Sequence, residues 1–203
     1  MKLYYAAASP FVRKVLIALH ETNLIDQVEI VPVTVSPVAP GDVMPAHNPL
    51  GKIPCLELDD GTALYDSRVI TRYISTLAPA TNLYPEDDSL WDALTLEATA
   101  DGIMDAAVTM TYERRVRPED KVFETFLDAQ WQKIDRALTA IENRWMTQLN
   151  EQKNLPVLAV AAALTYVDLR HDDRGWRNTH PTLAAWEAEI RERPSLAATV
   201  PAV

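Results

Sequence analysis

Hydrophobic and polar positions change rhythm several times along these 203 residues, and each change marks an element. Lys2-Leu3-Tyr4-Tyr5 and Val28-Glu29-Ile30-Val31 have the short, aromatic or β-branched character of strands. Between them, Phe11 to Glu21 sets Val12, Val15, Leu16 and Leu19 at helical spacing. Ser9 can cap this helix, and Pro10 suits its first turn, where the missing N–H is not needed. Cys55-Leu56-Glu57-Leu58 and Thr62-Ala63-Leu64-Tyr65, joined through Asp59-Asp60-Gly61, predict a hairpin. Ser67 to Leu77 returns to helical spacing, with Val69, Ile70, Tyr73 and Ile74 on one side. The first half therefore runs βαβ, a proline-rich connection, then ββα.

From Ser89 onward the period is helical throughout. Ser89 to about Arg115 and Glu119 to about Leu149 are long amphipathic segments that meet at Pro118. Asn154 can cap a third helix, in which Val157 to Val167 is apolar on nearly every side. That pattern suits the buried centre of a bundle. His180-Pro181 opens a last helix carrying Leu183, Trp186 and Ile190, which ends before Pro194. The expectation is an α+β chain: an N-terminal thioredoxin-like domain, whose βαβ-ββα order this is, followed by an all-helical bundle domain. Proline draws the boundary. Eight of the fourteen prolines lie in residues 1–79, whereas the stretch from Glu86 to Leu155 holds only Pro118. The expected domains are residues 1–79 and 86–203, joined by a linker over 78–85.

Composition narrows the function. With 19 Lys+Arg against 29 Asp+Glu the net charge is −10, which argues against nucleic acid or an anionic membrane as partner. No apolar run approaches the roughly 20 residues that cross a bilayer. Cys55 is the only cysteine, so a disulfide framework and a Cys-based zinc site are excluded. The four histidines lack metal-ligand spacing, so no metal is expected, and His171 and His180 are expected at the surface. The chain enters a strand pattern at Lys2, so no secretory leader is expected and a reducing, cytoplasmic setting fits best.

Candidate chemistry concentrates in the first half. At Ser9-Pro10-Phe11-Val12-Arg13-Lys14 a hydroxyl stands beside unpaired N–H groups and the positive end of a helix dipole, where an anion is stabilised. Read locally, Ser9 is a cap before it is anything else. In Asn48-Pro49-Leu50-Gly51-Lys52-Ile53-Pro54 the last proline begins a strand, where proline is tolerated. Asp66 and Ser67, at the start of the next helix, can pair with an ammonium and receive a carboxylate, although a plain cap explains them too. Asp101 and Asp105 lie four apart on the long acidic helix, a spacing that suits a solvated face.

Together, the Ser-Pro-Phe-x-x-Lys junction, the Asn-Pro-x-Gly-Lys-Ile-Pro loop and the Tyr-Asp-Ser-x-x-Ile helix entrance resemble the glutathione transferase family. The order of motifs, the linker and the acidic helical half extend the likeness over essentially the whole chain. It is closest to small bacterial glutathione-transferase-like proteins, with Ala98-Thr99-Ala100-Asp101-Gly102-Ile103-Met104-Asp105-Ala106-Ala107 the most telling stretch of the second half.

The resemblance implies glutathione as co-substrate, held with Pro54 in a cis bond and the Ile53 main chain pairing with the cysteinyl unit. Lys52 would reach the glycyl end, and Asp66 and Ser67 the γ-glutamyl end. Asp101 would contribute from the partner subunit of a homodimer; Trp91, Leu94 and the acidic helix near Asp101 offer a surface for it, but the sequence does not show which face associates. Ser9, with Phe11 beside it, would hold the sulfur as a thiolate for attack on a small electrophile. An apolar pocket between the domains, near Met104, Val108 and Tyr112, would receive that electrophile. The expected activity is a detoxifying glutathione transferase. A catalytically weak binding or dimerisation module, or a glutathione-dependent isomerase or lyase, uses the same site.

Three departures from the family pattern stand out. Serine replaces the cysteine of related disulfide-exchanging junctions, so a mixed disulfide is not expected. Cys55 is read as a small buried hydrophobe. Val157 occupies the acidic position of the usual capping box after Asn154, and Thr165-Tyr166-Val167-Asp168, which mimics that box inside the apolar helix, is read as accidental.

Overall fold

The computed structural model describes residues 1–39 and 41–201. The chain forms two compact units, Met1–Leu83 joined by the chain from Ala197 onward, and Tyr84–Leu196. The first is a four-stranded mixed sheet with helices and the second is helical, giving the α+β class with a thioredoxin-like first half.

In the first unit β1 (Lys2–Tyr5), α1 (Pro10–Glu21) and β2 (Glu29–Pro32) make a βαβ unit, α1 supplying the crossover that parallel strands require. A single helical turn, α2 (Met44–His47), interrupts the connection to β3 (Cys55–Glu57), β4 (Ala63–Leu64) and α3 (Ser67–Leu77). Strand order is β2-β1-β3-β4, with β3 antiparallel to both neighbours. Register decides which side chains share a face. Leu3 stands opposite Leu56, and Tyr4 opposite Cys55. Alternation sends the two pairs to opposite faces. Tyr4 and Cys55 pack with Met44, Val33, Val35 and Ile53 of the long connection. Leu3 and Leu56 are left to the face where α3 packs on β3 and on α1. On α3 the buried arc is Ser67, Ile70, Thr71 and Ile74. Val69, expected on that arc, falls one step off it and is exposed.

The second unit comprises α4 (Leu90–Val116), α5 (Glu124–Arg144), α6 (Met146–Glu151), α7 (Leu155–His171), α8 (Trp176–Thr179), α9 (Pro181–Ile190) and α10 (Pro194–Ala197). Helix α7 packs on α4, which also packs on α5. Thirteen of its residues are buried, and the Asn154 side chain accepts from the Val157 N–H at 3.2 Å. The cap therefore works without an acidic residue at position 157.

Two expectations change. The segment expected as one helix to Leu149 breaks at Trp145, whose indole donates to Asp92 Oδ2 at 2.8 Å, while Arg144 binds the same carboxylate. His171 and His180 are buried rather than superficial. Their partners come from distant sequence: His171 Nε2 donates to the Ala107 carbonyl at 2.9 Å, and the His180 ring lies between Asp135 at 3.1 Å and Glu142 at 3.2 Å. Thr165-Tyr166-Val167-Asp168 lies inside α7, whose cap is Asn154, so its box-like pattern is accidental as expected; Asp168 instead accepts from Trp176 Nε1 at 2.7 Å and forms an ion pair with Arg177 at 2.5 Å.

Candidate functional site

Pairing register brings the first-half motifs together. Tyr4 stands opposite Cys55, and Leu56 opposite Leu64, so the end of β1, the start of β3 and the end of β4 meet at one end of the sheet. Ser9 follows β1, Ile53-Pro54 precedes β3, and Asp66-Ser67 follows β4. All three therefore lie off that same end of the sheet.

Ser9 has extended φ/ψ of −82° and 121° and caps α1, its Oγ accepting from the Val12 N–H at 3.3 Å. Its carbonyl accepts from the Arg13 N–H at 3.0 Å. A hydroxyl that accepts one such bond still carries its own proton, so capping and donation to a ligand are compatible roles. No acidic residue stands in the first turn of α1 to oppose an anion there. Phe11, half-buried, lies on the same turn.

Asn48 shapes the second motif. Almost fully buried, it donates from Nδ2 to the Lys52 carbonyl at 2.8 Å and accepts from the Leu50 N–H at 3.0 Å. The Gly51 N–H closes on the Asn48 carbonyl at 2.8 Å, with Gly51 at φ 62°, where a side chain would be strained. The Ile53–Pro54 bond is cis, as the resemblance implied, and so is Tyr65–Asp66. The Ile53 N–H and C=O make no hydrogen bond among the described residues, which leaves both for an extended peptide. Lys52 is exposed beside it.

Asp66 caps α3, accepting from the Arg68 N–H at 3.0 Å; its side chain is exposed, whereas Ser67 is buried. The remaining candidates lie in the other unit. Asp101, Met104, Val108 and Tyr112 follow one stripe of α4. Asp101 and Met104 are buried, while Val108 and Tyr112 are half-buried. The Asp101–Asp105 pair expected as a solvated face divides, with only Asp105 exposed.

Electrostatics separate the sulfur chemistry from the core cysteine. Burial, then Glu57, pushes the Cys55 thiol up to about 11. Burial, then its hydrogen bond to Glu57, pushes Tyr4 up to about 12, and that same bond holds Glu57 below the usual carboxylate range. Sequence reasoning passed over Asn48 as an individual residue, and also Tyr4, His47 and Glu57. Only the motif around Asn48 signalled its loop. Among the described residues, no three His, Cys, Asp or Glu side chains converge as a metal site. No helix among them is long and apolar enough to cross a membrane.

Comparison with known proteins agrees with this outline. Residues 8–77 match the family described as glutathione S-transferase, N-terminal domain. The GST-like protein YibF of Escherichia coli (strain K12) is 33% identical over 99% of this chain and 98% of its own. A crystal structure of a glutathione transferase family member from Pseudomonas fluorescens Pf-5 with bound glutathione is 46% identical, with a TM-score of 0.97 over 100% of this chain and 99% of that one. A second structure from that organism, with bound S-(propanoic acid)-glutathione, is 45% identical, with a TM-score of 0.93 and full coverage of both chains. Likeness over nearly the whole length of both chains, on a fold whose motifs meet at one end of the sheet, shows that this chain belongs to the glutathione S-transferase family.

Proposed function

We propose that the protein is a glutathione transferase that binds glutathione off the end of its sheet where Ser9, Ile53 and Asp66 lie, and conjugates it to a small electrophile. The observation that carries this reading is the Ser9 hydroxyl at the N-terminus of α1, bonded to Val12 N–H and still able to donate. Ile53 offers its free main-chain groups to the cysteinyl unit, Pro54 and Phe11 flank it, and Lys52 faces the glycyl carboxylate. Asp66 and Ser67 take the γ-glutamyl end.

Magnitudes support a thiolate without a general base. Lowering a thiol from about pKa 8.5 by about two units needs roughly 2.7 kcal/mol. A charge-assisted hydrogen bond from Ser9 contributes about 1.5–3 kcal/mol. The helix dipole adds roughly 0.3–1 kcal/mol. A neutral serine hydroxyl is too weak a base to take the thiol proton unaided, so Ser9 is a donor to sulfur and not a nucleophile. The relative's ligand S-(propanoic acid)-glutathione is a thioether, the kind of product such a thiolate forms. Val108 and Tyr112, backed by Met104, are proposed to meet the electrophile.

Asp101 enters from the partner subunit of a homodimer. At 1% exposure in the single chain, it reaches a ligand only if association rearranges its surroundings. A raised KM for glutathione in Asp101→Asn, measured on a dimer verified by sedimentation, supports that role; an unchanged KM removes it.

The test of the reading is Ser9→Ala, assayed with an aryl halide and an unsaturated acid. Turnover should fall about 10–100-fold, one charge-assisted hydrogen bond's worth. The bound thiol, followed by thiolate absorbance, should ionise at higher pH. Full activity in Ser9→Ala would assign sulfur activation to another group. Glutathione binding without turnover on any electrophile would assign the protein to the binding-module reading.

A further inference from the structure

On the sheet face opposite Leu3, a polar cluster lies outside every motif used above. The Tyr4 hydroxyl donates to Glu57 Oε2 at 2.8 Å and lies 2.9 Å from His47 Nε2. His47 Nδ1 is 3.1 Å from the same Glu57 oxygen, and Lys2 approaches the other at 3.5 Å. The Tyr4 and His47 rings lie with centroids 4.5 Å apart. Tyr4 comes from β1, Glu57 from β3 and His47 from the last position of α2. The two strand residues are fixed by their ladder, so the cluster, together with the packing of Met44 on Tyr4 and Cys55, ties α2 to the sheet.

The tie matters because of its neighbour in the chain. Directly after His47 comes Asn48, whose side chain holds Leu50 and Lys52 and so sets the path of the backbone into Ile53. We propose that Tyr4, Glu57 and His47 are positioning residues for the glutathione site, anchoring the loop that presents the Ile53 main chain. This inference rests on the glutathione reading above. None of the three touches the reacting sulfur in that reading; they act through Asn48. The cluster's own electrostatics agree with an anchor rather than a catalyst. Tyr4 is held protonated as a donor and Glu57 ionised as an acceptor, so neither exchanges a proton near neutral pH.

The experiment uses the full chain, glutathione and one aryl halide. Tyr4→Phe removes a hydroxyl and keeps the ring against Cys55 and Met44. It should raise KM and the calorimetric Kd for glutathione about fivefold to tenfold, with kcat at saturating glutathione within twofold of wild type. His47→Leu should do the same, and His47→Gln, which keeps donors at that place, should recover most of the affinity. The double variant Tyr4→Phe/His47→Leu should be no weaker than the weaker single, since both cut one tie. Lower stability with unchanged glutathione affinity, or a loss confined to kcat, overturns the positioning role. Wild-type protein that binds no glutathione at millimolar concentration overturns the glutathione reading itself, and this inference with it.

Discussion

At the scale of single residues, composition told which groups were present but not what surrounds them. Cys55 was legible, because a lone cysteine in a strand pattern reads as core; it is fully buried and its thiol is pushed up to about 11. Alkylating or disulfide reagents should therefore leave the native protein untouched at about pH 8 and titrate one thiol once it is unfolded. Rapid native modification would contradict this burial. His171 was not legible, since its partner Ala107 lies 64 residues away. Burial, the main cause, holds its pKa below the ordinary 6.5, against the smaller opposing effect of the Ala107 bond. The unfolded chain thus takes up the proton first, and the stability His171 contributes is whole above about pH 6.5 and lost as pH falls through the folded value. Between about pH 7 and pH 5 the melting temperature of wild type should fall more steeply than that of His171→Gln, which keeps a donor without titrating. Parallel pH curves for the two proteins would exclude the histidine as the cause.

Elements were readable where their ends carry their own chemistry. Ser9, Asp66 and Asn154 each announced a helix start, and each accepts the N–H two or three residues on. Asn154→Ala should accordingly cost about 1 kcal/mol in denaturant unfolding, because α7 loses the side chain that caps it. Breaks made by tertiary contacts were hidden: nothing local at Trp145 says that its indole and Arg144 reach Asp92 on α4. The same holds for Asp168, whose local pattern suggested a misplaced capping box while its real task is to receive the Trp176 indole and Arg177. Trp176 is only 1% exposed, so Asp168→Ala strands its N–H without an acceptor. That change should destabilise the protein by about 1–3 kcal/mol, and Asp168→Asn, which keeps a carbonyl, by less. Equal losses in the two variants would point to the charge rather than the acceptor.

For the whole molecule, the sequence showed where proline-rich chain gives way to helix but not that the end of the chain rejoins its beginning. From Ala197 onward the residues belong with the first unit, where Arg13 Nε donates to Thr199 Oγ1 at 3.4 Å, both side chains being buried. No local pattern reports a pairing across 186 positions. Arg13 lies on α1, four residues after Ser9, so the chain end braces the helix whose N-terminus is proposed to face the glutathione sulfur. A chain cut after Leu196 would expose the Arg13 guanidinium side of α1 and remove the buried Thr199. Losing about 1–3 kcal/mol in this way would lower the melting temperature of a protein of this size by roughly 2–12 °C. Point substitution separates the brace from the bulk of the tail. Thr199→Val keeps the volume and removes the hydroxyl, so it should reproduce a minor part of the loss, whereas a tail that packs without bracing would leave Thr199→Val at the wild-type melting temperature and make truncation the whole effect. If the brace also sets the start of α1, the shortened chain should bind glutathione more weakly at a temperature where it remains folded, which calorimetry on both proteins reads directly.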